Sequence, residues 1–286
     1  MKFWPRWIRI LMKPALAEVG VLITRPAGQA GQLAELVAAA GGNPVLFPAL
    51  EIEPLEGIQN RAPLNAPLHF DLLIFVSPNA VRVAMPHIRR QGGIAAGARV
   101  AAVGPGTAAE LKKSGVRNII SPRSGFDSEA LIRELSSLTL EGSRALIIRG
   151  QGGRELLSET LRLRGIEVTI LECYRRKKPD ADLTELLAGR SKGELRACVA
   201  TSSAIVVNLF SMAGDAGRSW LSGTTFFVSH PRVAATAISC GVRQVIVAGV
   251  GDEALVTAMK TWFPRSNLRP PISVMPINDA SGLSDV

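Results

Sequence analysis

Tyr174 is the only tyrosine in the chain, and Arg175, Arg176, Lys177 and Lys178 follow it directly. A phenol in a basic, water-poor cleft can serve as a proton donor or a hydrogen-bond anchor. The plainer alternative is an amphipathic aromatic closing the apolar run IEVTILEC. A second group of residues stands just after the apolar runs. These are Thr24-Arg25-Pro26, Ser77-Pro78-Asn79, Gly104-Pro105-Gly106-Thr107, Arg149-Gly150, Thr201-Ser202-Ser203 and Ser229-His230-Pro231. Nearly all are small, hydroxylic, Gly or Pro. Ser77, Thr201 and Ser229 suit helix caps, and Pro78 and Pro231 suit first turns, so capping alone would explain them. Binding is compatible with capping. Several helix N-termini opening toward one place offer free N–H groups and dipole ends that favour carboxylates or phosphates.

Other chemistries find no support. Cys173, Cys198 and Cys240 follow no zinc spacing, and an odd number of cysteines, two in apolar runs, fits a reducing compartment better than a disulfide framework. His69, His87 and His230 are far apart, so no metal site is expected. GPG (104–106) and GQGG (150–153) are not the dinucleotide fingerprint, and no P-loop lysine motif or serine elbow is present. The acids sit mainly in helices or polar loops. Glu51 and Glu53 stand apart in an early connecting segment, where solvation is the plainer reading.

Net charge is +9 and the sequence pI is about 10.1. Lys2, Arg6, Arg9 and Lys13 contribute part of this at the N-terminus, but residues 19–264 remain basic. Such a body attracts nucleic acid, acidic lipid or an acidic small molecule. With aromatics at 5% there are few stacking platforms for nucleic acid. Pro5, Pro14 and the interspersed cations break the apolar run that a signal peptide needs, and no later stretch reaches membrane-span length. Residues 1–18 therefore read as a disordered or surface-docked extension. The Pro-rich, aperiodic segment 265–286 reads as a disordered tail.

The elements that position these residues alternate along the chain. Short β-branched runs at 19–24, 44–47, 71–76, 98–103, 118–120, 144–148, 166–171, 196–201, 224–228 and 244–247 read as ten strands, most followed by an Ala/Leu-rich helix. This pattern predicts parallel sheets covered on both faces. The chain also repeats. VLITRPAGQA (21–30) returns as RALIIRGQGG (144–153), placing Arg149 where Arg25 stood, and FDSEALI (126–132) returns as GDEALVT (251–257). A unit of about 125 residues with five strands has been used twice, which fits a flavodoxin-like doubly wound domain.

Taken in order, several segments resemble the uroporphyrinogen-III synthase family. They are VLITRPAGQA (21–30), FPALEIEP (47–54), LLIFVSPNAV (72–81), VAAVGPGTAAEL (100–111), LIIRGQGGRELL (146–157), GIEVTILECYRR (165–176) and FFVSHPRVAATAISCGV (226–242). The resemblance covers about residues 19–263. It implies an α/β protein with two flavodoxin-like doubly wound parallel-sheet domains joined by a two-stranded connection. One lobe would be 19–46 with 177–264, the other 51–170, with 47–50 and 171–176 as connecting strands.

The resemblance also implies a cofactor-free cyclising hydro-lyase of heme and siroheme biosynthesis. Its substrate would be hydroxymethylbilane, a linear tetrapyrrole with eight carboxylates, held between the lobes. The terminal pyrrole ring is inverted, water is lost, and uroporphyrinogen III forms. Such a substrate is reactive unaided, so orienting it is most of the task. On this reading Tyr174 is the candidate acid, and Arg25, Ser77, Thr107, Arg149, Arg154, Thr201, Ser202 and Ser229 bind substrate. Asn79 stands where some relatives have Arg, and Arg232 and Val233 replace a pair of threonines, Arg232 offering a cation instead. No metal, cofactor or nucleic acid is expected. A cytoplasmic monomer, in transient contact with the preceding pathway enzyme, is. The alternative is a non-catalytic tetrapyrrole-binding or sensor protein of the same fold.

Overall fold

The computed structural model describes residues 14–57, 69–125, 127–188 and 194–266, with side chains as far as 263. The expected extension before residue 14 and the tail after 266 lie outside these residues. The chain forms two compact units. Of the described residues, those up to Glu51 and those from Lys178 onward build one, and those within Ile52–Lys177 build the other.

The first unit carries β1 (Gly20–Ile23), α1 (Gly31–Ala39), β2 (Asn43–Leu46), α6 (Leu183–Ala188), β9 (Leu195–Ala200), α7 (Ser203–Ser211), α8 (Asp215–Gly223), β10 (Thr225–Val228), α9 (Pro231–Ser239), β11 (Gln244–Val247) and α10 (Asp252–Ser266). Its sheet has five strands in the order β11-β10-β9-β1-β2, and each neighbouring pair is parallel. The second unit carries β3 (Glu51–Pro54), β4 (Leu72–Phe75), α2 (Pro78–Arg90), β5 (Arg99–Ala102), α3 (Pro105–Lys113), β6 (Ile119–Ile120), α4 (Ser128–Ser136), β7 (Arg144–Gly150), α5 (Leu156–Leu163) and β8 (Glu167–Lys177). Its six-stranded sheet runs β3-β8-β7-β4-β5-β6.

Without β3 the two sheets have one spatial order. β2-β1-β9-β10-β11 matches β8-β7-β4-β5-β6 strand for strand. Each sheet takes two neighbouring strands from one copy of the repeat and three from the other. This is the 2-1-3-4-5 order of a flavodoxin-like sheet.

Burial follows from this layering. All four residues of β4 are buried. Leu72 and Ile74 pack with Leu131, Leu135, Leu157 and Leu161 of α4 and α5. Leu73 and Phe75 pack on the opposite face with Val81, Ala84, Met85 and Ile88 of α2. A strand covered on both faces loses its alternation and reads as a continuous apolar run. In the first unit, Val21 and Ile23 pack with Leu33 and Val37 of α1 and Leu255 and Met259 of α10.

Several expectations need correction. Among the described residues the structure has an eleventh strand, β3, in a segment read as polar connection. As the last strand of its sheet it is only half covered, so its burial pattern lacks the apolar signature. Its partner is β8, with the Leu55 N–H donating to the Cys173 carbonyl and Glu53 opposite Arg175. Residue numbers rise on one strand as they fall on the other, the sense of an antiparallel pair.

Residues 47–50, expected as a connecting strand, form none. Phe47, Ala49 and Leu50 are buried, and the Asn208 side-chain amide donates to the Ala49 carbonyl at 2.9 Å. Residues 166–171 and 171–176, read as two strands, are instead one strand, β8. Nor is residue 19 the start of the packed chain. Leu16 is fully buried in the first unit's core and its N–H bonds to the Ala40 carbonyl.

Candidate active site

The site is best built from β8 outward. Leu171 and Cys173 both enter the core beside α2. Strict alternation would turn Tyr174 to the other face. The pairing with β7 slips here, for Arg149 faces Glu172 and Gly150 faces Tyr174, leaving Cys173 as the extra residue of a bulge. A bulge re-aims the side chain that follows it. Tyr174 therefore joins Leu171 and Cys173 in one core and is completely buried.

Gly150 makes the seat. A Cβ there would lie 2.5 Å from the phenol Cζ, so the ring rests against bare backbone. The phenol oxygen lies 3.0 Å from Ser77 Oγ. Ser77 is the N-cap of α2, and its Oγ accepts the Ala80 N–H at 3.1 Å. Arg176, on the same side of β8, donates through Nη2 to the phenol oxygen at 3.3 Å and holds its guanidinium carbon 5.6 Å from the ring centre.

The basic run does not act as one block. Arg175 faces away and forms a bidentate pair with Glu53, both bonds 2.9 Å. This pair lowers the Glu53 carboxyl below its ordinary pKa, chiefly through the hydrogen bond from Arg175. Lys177 and Lys178 are exposed. Among the described residues, Arg176 is the one cation of the four that reaches the phenol.

Arg149 is likewise engaged. Its buried side chain donates to Glu155 at 2.6 Å, to Glu172 at 3.3 Å and to the Arg154 carbonyl at 3.2 Å, folding the turn after β7 around itself. Glu155 is held below the ordinary Glu pKa, first by that bond and then by one from Ser158. Arg154 reaches across to Glu129 of α4 at 2.9 Å, with its side chain largely exposed. Thr107 is buried in the first turn of α3. A Cβ on its neighbour Gly106 would lie 3.7 Å from Pro78, so the turns after β4 and β5 are adjacent.

Arg25, Thr201, Ser202 and Ser229 lie in the first unit. Arg25 pairs with Asp252 at the start of α10. Ser202, rather than Thr201, caps α7 by accepting the Ile205 N–H, and His230, rather than Ser229, caps α9 through Nδ1. Ser229 instead donates to the Thr201 carbonyl at 3.2 Å, tying together the turns after β9 and β10.

Several of the helices that follow inner strands share one feature. α1, α2, α3, α7 and α9 have no acid in their first turns, whereas α4, α5, α6, α8 and α10 each have at least one. Acids are ordinarily favoured there, so their absence leaves these dipole ends open to an anion. Of these, α2 and α3 follow β4 and β5 in one unit, and α7 and α9 follow the corresponding β9 and β10 in the other. Among the described residues no cluster of three His, Cys, Asp or Glu side chains could hold a metal ion, and no helix is long and apolar enough to cross a membrane.

Sequence reading singled out Tyr174 but missed the parts that place it. The register slip at Cys173, the bare face of Gly150, and the acids Glu155, Glu172 and Asp252 that occupy the two arginines all depend on strand pairing. Gly150 carried the one signal in sequence, as a glycine closing an apolar run.

The model of the family described as uroporphyrinogen-III synthase HemD matches residues 31–256. The uroporphyrinogen-III synthase of Escherichia coli (strain K12) is 31% identical over 248 residues, covering 85% of this chain and all of the relative. That of Salmonella typhimurium is 32% identical over 247 residues, with the same coverage. A crystal structure of a mutant uroporphyrinogen III synthase from the extremely thermophilic bacterium Thermus thermophilus shares the fold, with a TM-score of 0.58, 21% identity, and coverage of 88% of this chain and all of the other. With a family model spanning most of its length and full-length relatives above 30% identity, the chain belongs to the uroporphyrinogen-III synthase family.

Proposed function

We propose that the chain cyclises hydroxymethylbilane to uroporphyrinogen III as a hydro-lyase, with Tyr174 as the acid for hydroxyl departure. What most supports the reaction is the likeness to full-length synthases. The observation that carries the residue assignment is the seating of the chain's only phenol. Gly150, Ser77 and Arg176 hold it at the carboxyl end of its sheet, where doubly wound proteins take their ligands.

The step balances with the protein's own groups. Tyr174 gives its proton to the terminal hydroxyl, the bond from methylene carbon to oxygen breaks, and water leaves. The electron-rich pyrrole carries the resulting cation and Tyr174 is left as phenolate. Inverting the terminal ring takes two bonds made and one broken. The cationic methylene bonds the substituted α-carbon of the terminal ring. The bond from that carbon to its original methylene then breaks to leave a second pyrrole-stabilised cation, and this closes on the ring's free α-carbon, whose proton returns to the phenolate. The protein's other task is to hold the flexible bilane in the one fold that brings the cation to the substituted α-carbon. The open N-termini of α2, α3, α7 and α9 supply donors for carboxylates, and Ser77, Thr107, Thr201, Ser202 and Ser229 line the turns that present them. Arg25 and Arg149 shape these turns through Asp252, Glu155 and Glu172 rather than offering open cations. A cytoplasmic setting and a monomer that takes its reactive substrate directly from the preceding enzyme fit this chemistry.

The test is to supply hydroxymethylbilane and identify the uroporphyrinogen isomer. The III isomer as main product is expected. Accumulation of the I isomer at the uncatalysed rate would favour a non-catalytic tetrapyrrole binder.

A further inference from the structure

Tyr174 is completely buried, Gly150 is buried and Ser77 is half-buried, whereas Arg176 is exposed. Arg176 is thus the contact of the phenol oxygen that a dissolved polyanion meets first. A guanidinium has only donors, so its bond to Tyr174 occupies the phenol oxygen as acceptor. At 3.3 Å and to a neutral partner, that bond is a weak one. A carboxylate would compete well, because its bond to Arg is charge-assisted and shorter, about 2.7–2.9 Å. Little else holds the guanidinium. Arg175 is spent on Glu53, and among the described residues no carboxylate pairs with Arg176.

We infer that Arg176 is a substrate-responsive positioning residue, parking on the Tyr174 hydroxyl in the free chain and leaving it for a carboxylate of the bilane. Binding then does two things at once. It anchors one carboxylate, and it uncovers the phenol only when a polyanion is present. The inference deepens the proposed function and rests on Tyr174 being the acid.

An unusual sign follows for Tyr174→Phe. Phenylalanine keeps the ring under the guanidinium but removes the hydrogen bond that Arg176 must give up. The variant should therefore bind a polycarboxylate more tightly than the wild type. One hydrogen bond of ordinary net strength corresponds to about threefold to tenfold in Kd.

The probe is uroporphyrin III, a stable octacarboxylate, titrated into full-length protein, with Kd read from the porphyrin's own absorbance and, in proteins that keep Tyr174, the ring-labelled tyrosine followed by NMR. With one tyrosine, the ring gives a single set of NMR signals to follow. Three results are expected. The wild-type signal moves on binding. Tyr174→Phe lowers Kd about threefold to tenfold. Arg176→Gln raises Kd and the KM for hydroxymethylbilane about tenfold or more, leaves kcat within about threefold, and largely abolishes the probe-induced signal shift. An unmoved wild-type signal at saturation, no saturable binding, or a Tyr174→Phe Kd equal to or above the wild-type value would overturn the inference. Arg176→Gln lowering kcat with KM unchanged would do the same. Because Arg176 is exposed, its variants test contact rather than folding. If wild-type protein fails to convert hydroxymethylbilane, the reading of Tyr174 as the acid fails, and the inference goes with it.

Discussion

At the scale of single residues, the phenol and the carboxylates around it behave differently. Tyr174 is held by two hydrogen bonds. On the proposed reading it is the acid, and because the bilane ionises readily through its own pyrrole, that acid need not carry the whole acceleration. Tyr174→Phe should lower turnover toward the low end of the roughly 10²–10⁴-fold typical of general acid catalysis. Selectivity for the III isomer should largely survive, because the fold of the bound chain chooses the ring. Single-turnover rates and product isomer analysis measure both, and unchanged single-turnover rates would leave Tyr174 as packing. Glu155 makes a prediction about pH. Its carboxyl lies below the ordinary Glu value near 4.5 because Arg149 and Ser158 hold the charged form. A depressed carboxylate gives stability that is present above the unfolded-state pKa and lost as pH falls through the folded-state value. The urea midpoint should drop from about pH 4.5 downward, less steeply in Glu155→Gln. Equal acid limbs in the two proteins would show that the Arg149 turn contributes nothing there. Of these residues Tyr174 was legible in sequence through its rarity and its basic neighbours. Glu155 was not, because an acid near a helix start is ordinarily there for the helix dipole alone.

At the scale of elements, β8 decides where the phenol sits. Of the eleven strands among the described residues, ten announced themselves as apolar runs, because sheets covered on both faces demand such runs. β3 did not, since its Glu51 and Glu53 belong to an edge, and Glu53 contributes through its cross-strand pair with Arg175 rather than by burial. The bulge at Cys173 was also silent, because a register slip is a property of two strands and the β8 sequence is one of them. Gly150 exposes that slip to experiment. In Gly150→Ala the new methyl meets the buried phenol, and the ring has to move off Ser77. Overpacking of this kind costs about 1–3 kcal/mol. The single-tyrosine NMR signal should shift, and turnover should fall about as far as in Tyr174→Phe. The double variant should be no slower than the worse single one, because both changes remove the same contact. Multiplying losses would mean that Gly150 acts on something other than the phenol.

At the scale of the whole molecule, the twofold use of one unit was readable from sequence because paired segments kept their order, and the two sheets share it. That repetition also sets out the charges. The open helix starts, α2 and α3 in one unit and α7 and α9 in the other, keep acids out of their first turns, and the chain as a whole carries +9. On the proposed reading, two kinds of attraction then act on an eight-carboxylate substrate. The long-range field of the net charge draws it in and is screened within about 8 Å at physiological salt. The N–H donors at helix starts act at contact and are screened far less. Raising ionic strength from about 0.05 to 0.5 M should therefore raise KM for hydroxymethylbilane several-fold while kcat stays within about twofold. Because the donors are shared among several turns, Ser77→Ala, Thr107→Ala or Thr201→Ala alone should raise KM only about twofold to tenfold, the range of one hydrogen bond. Paired substitutions from different units should multiply. Steady-state kinetics across salt for the three single and two cross-unit double variants decides the matter. Complete loss of activity from each single change, with the fold intact, would mean that binding hangs on individual hydroxyls, and a salt-independent KM would mean that the basic charge serves some other end.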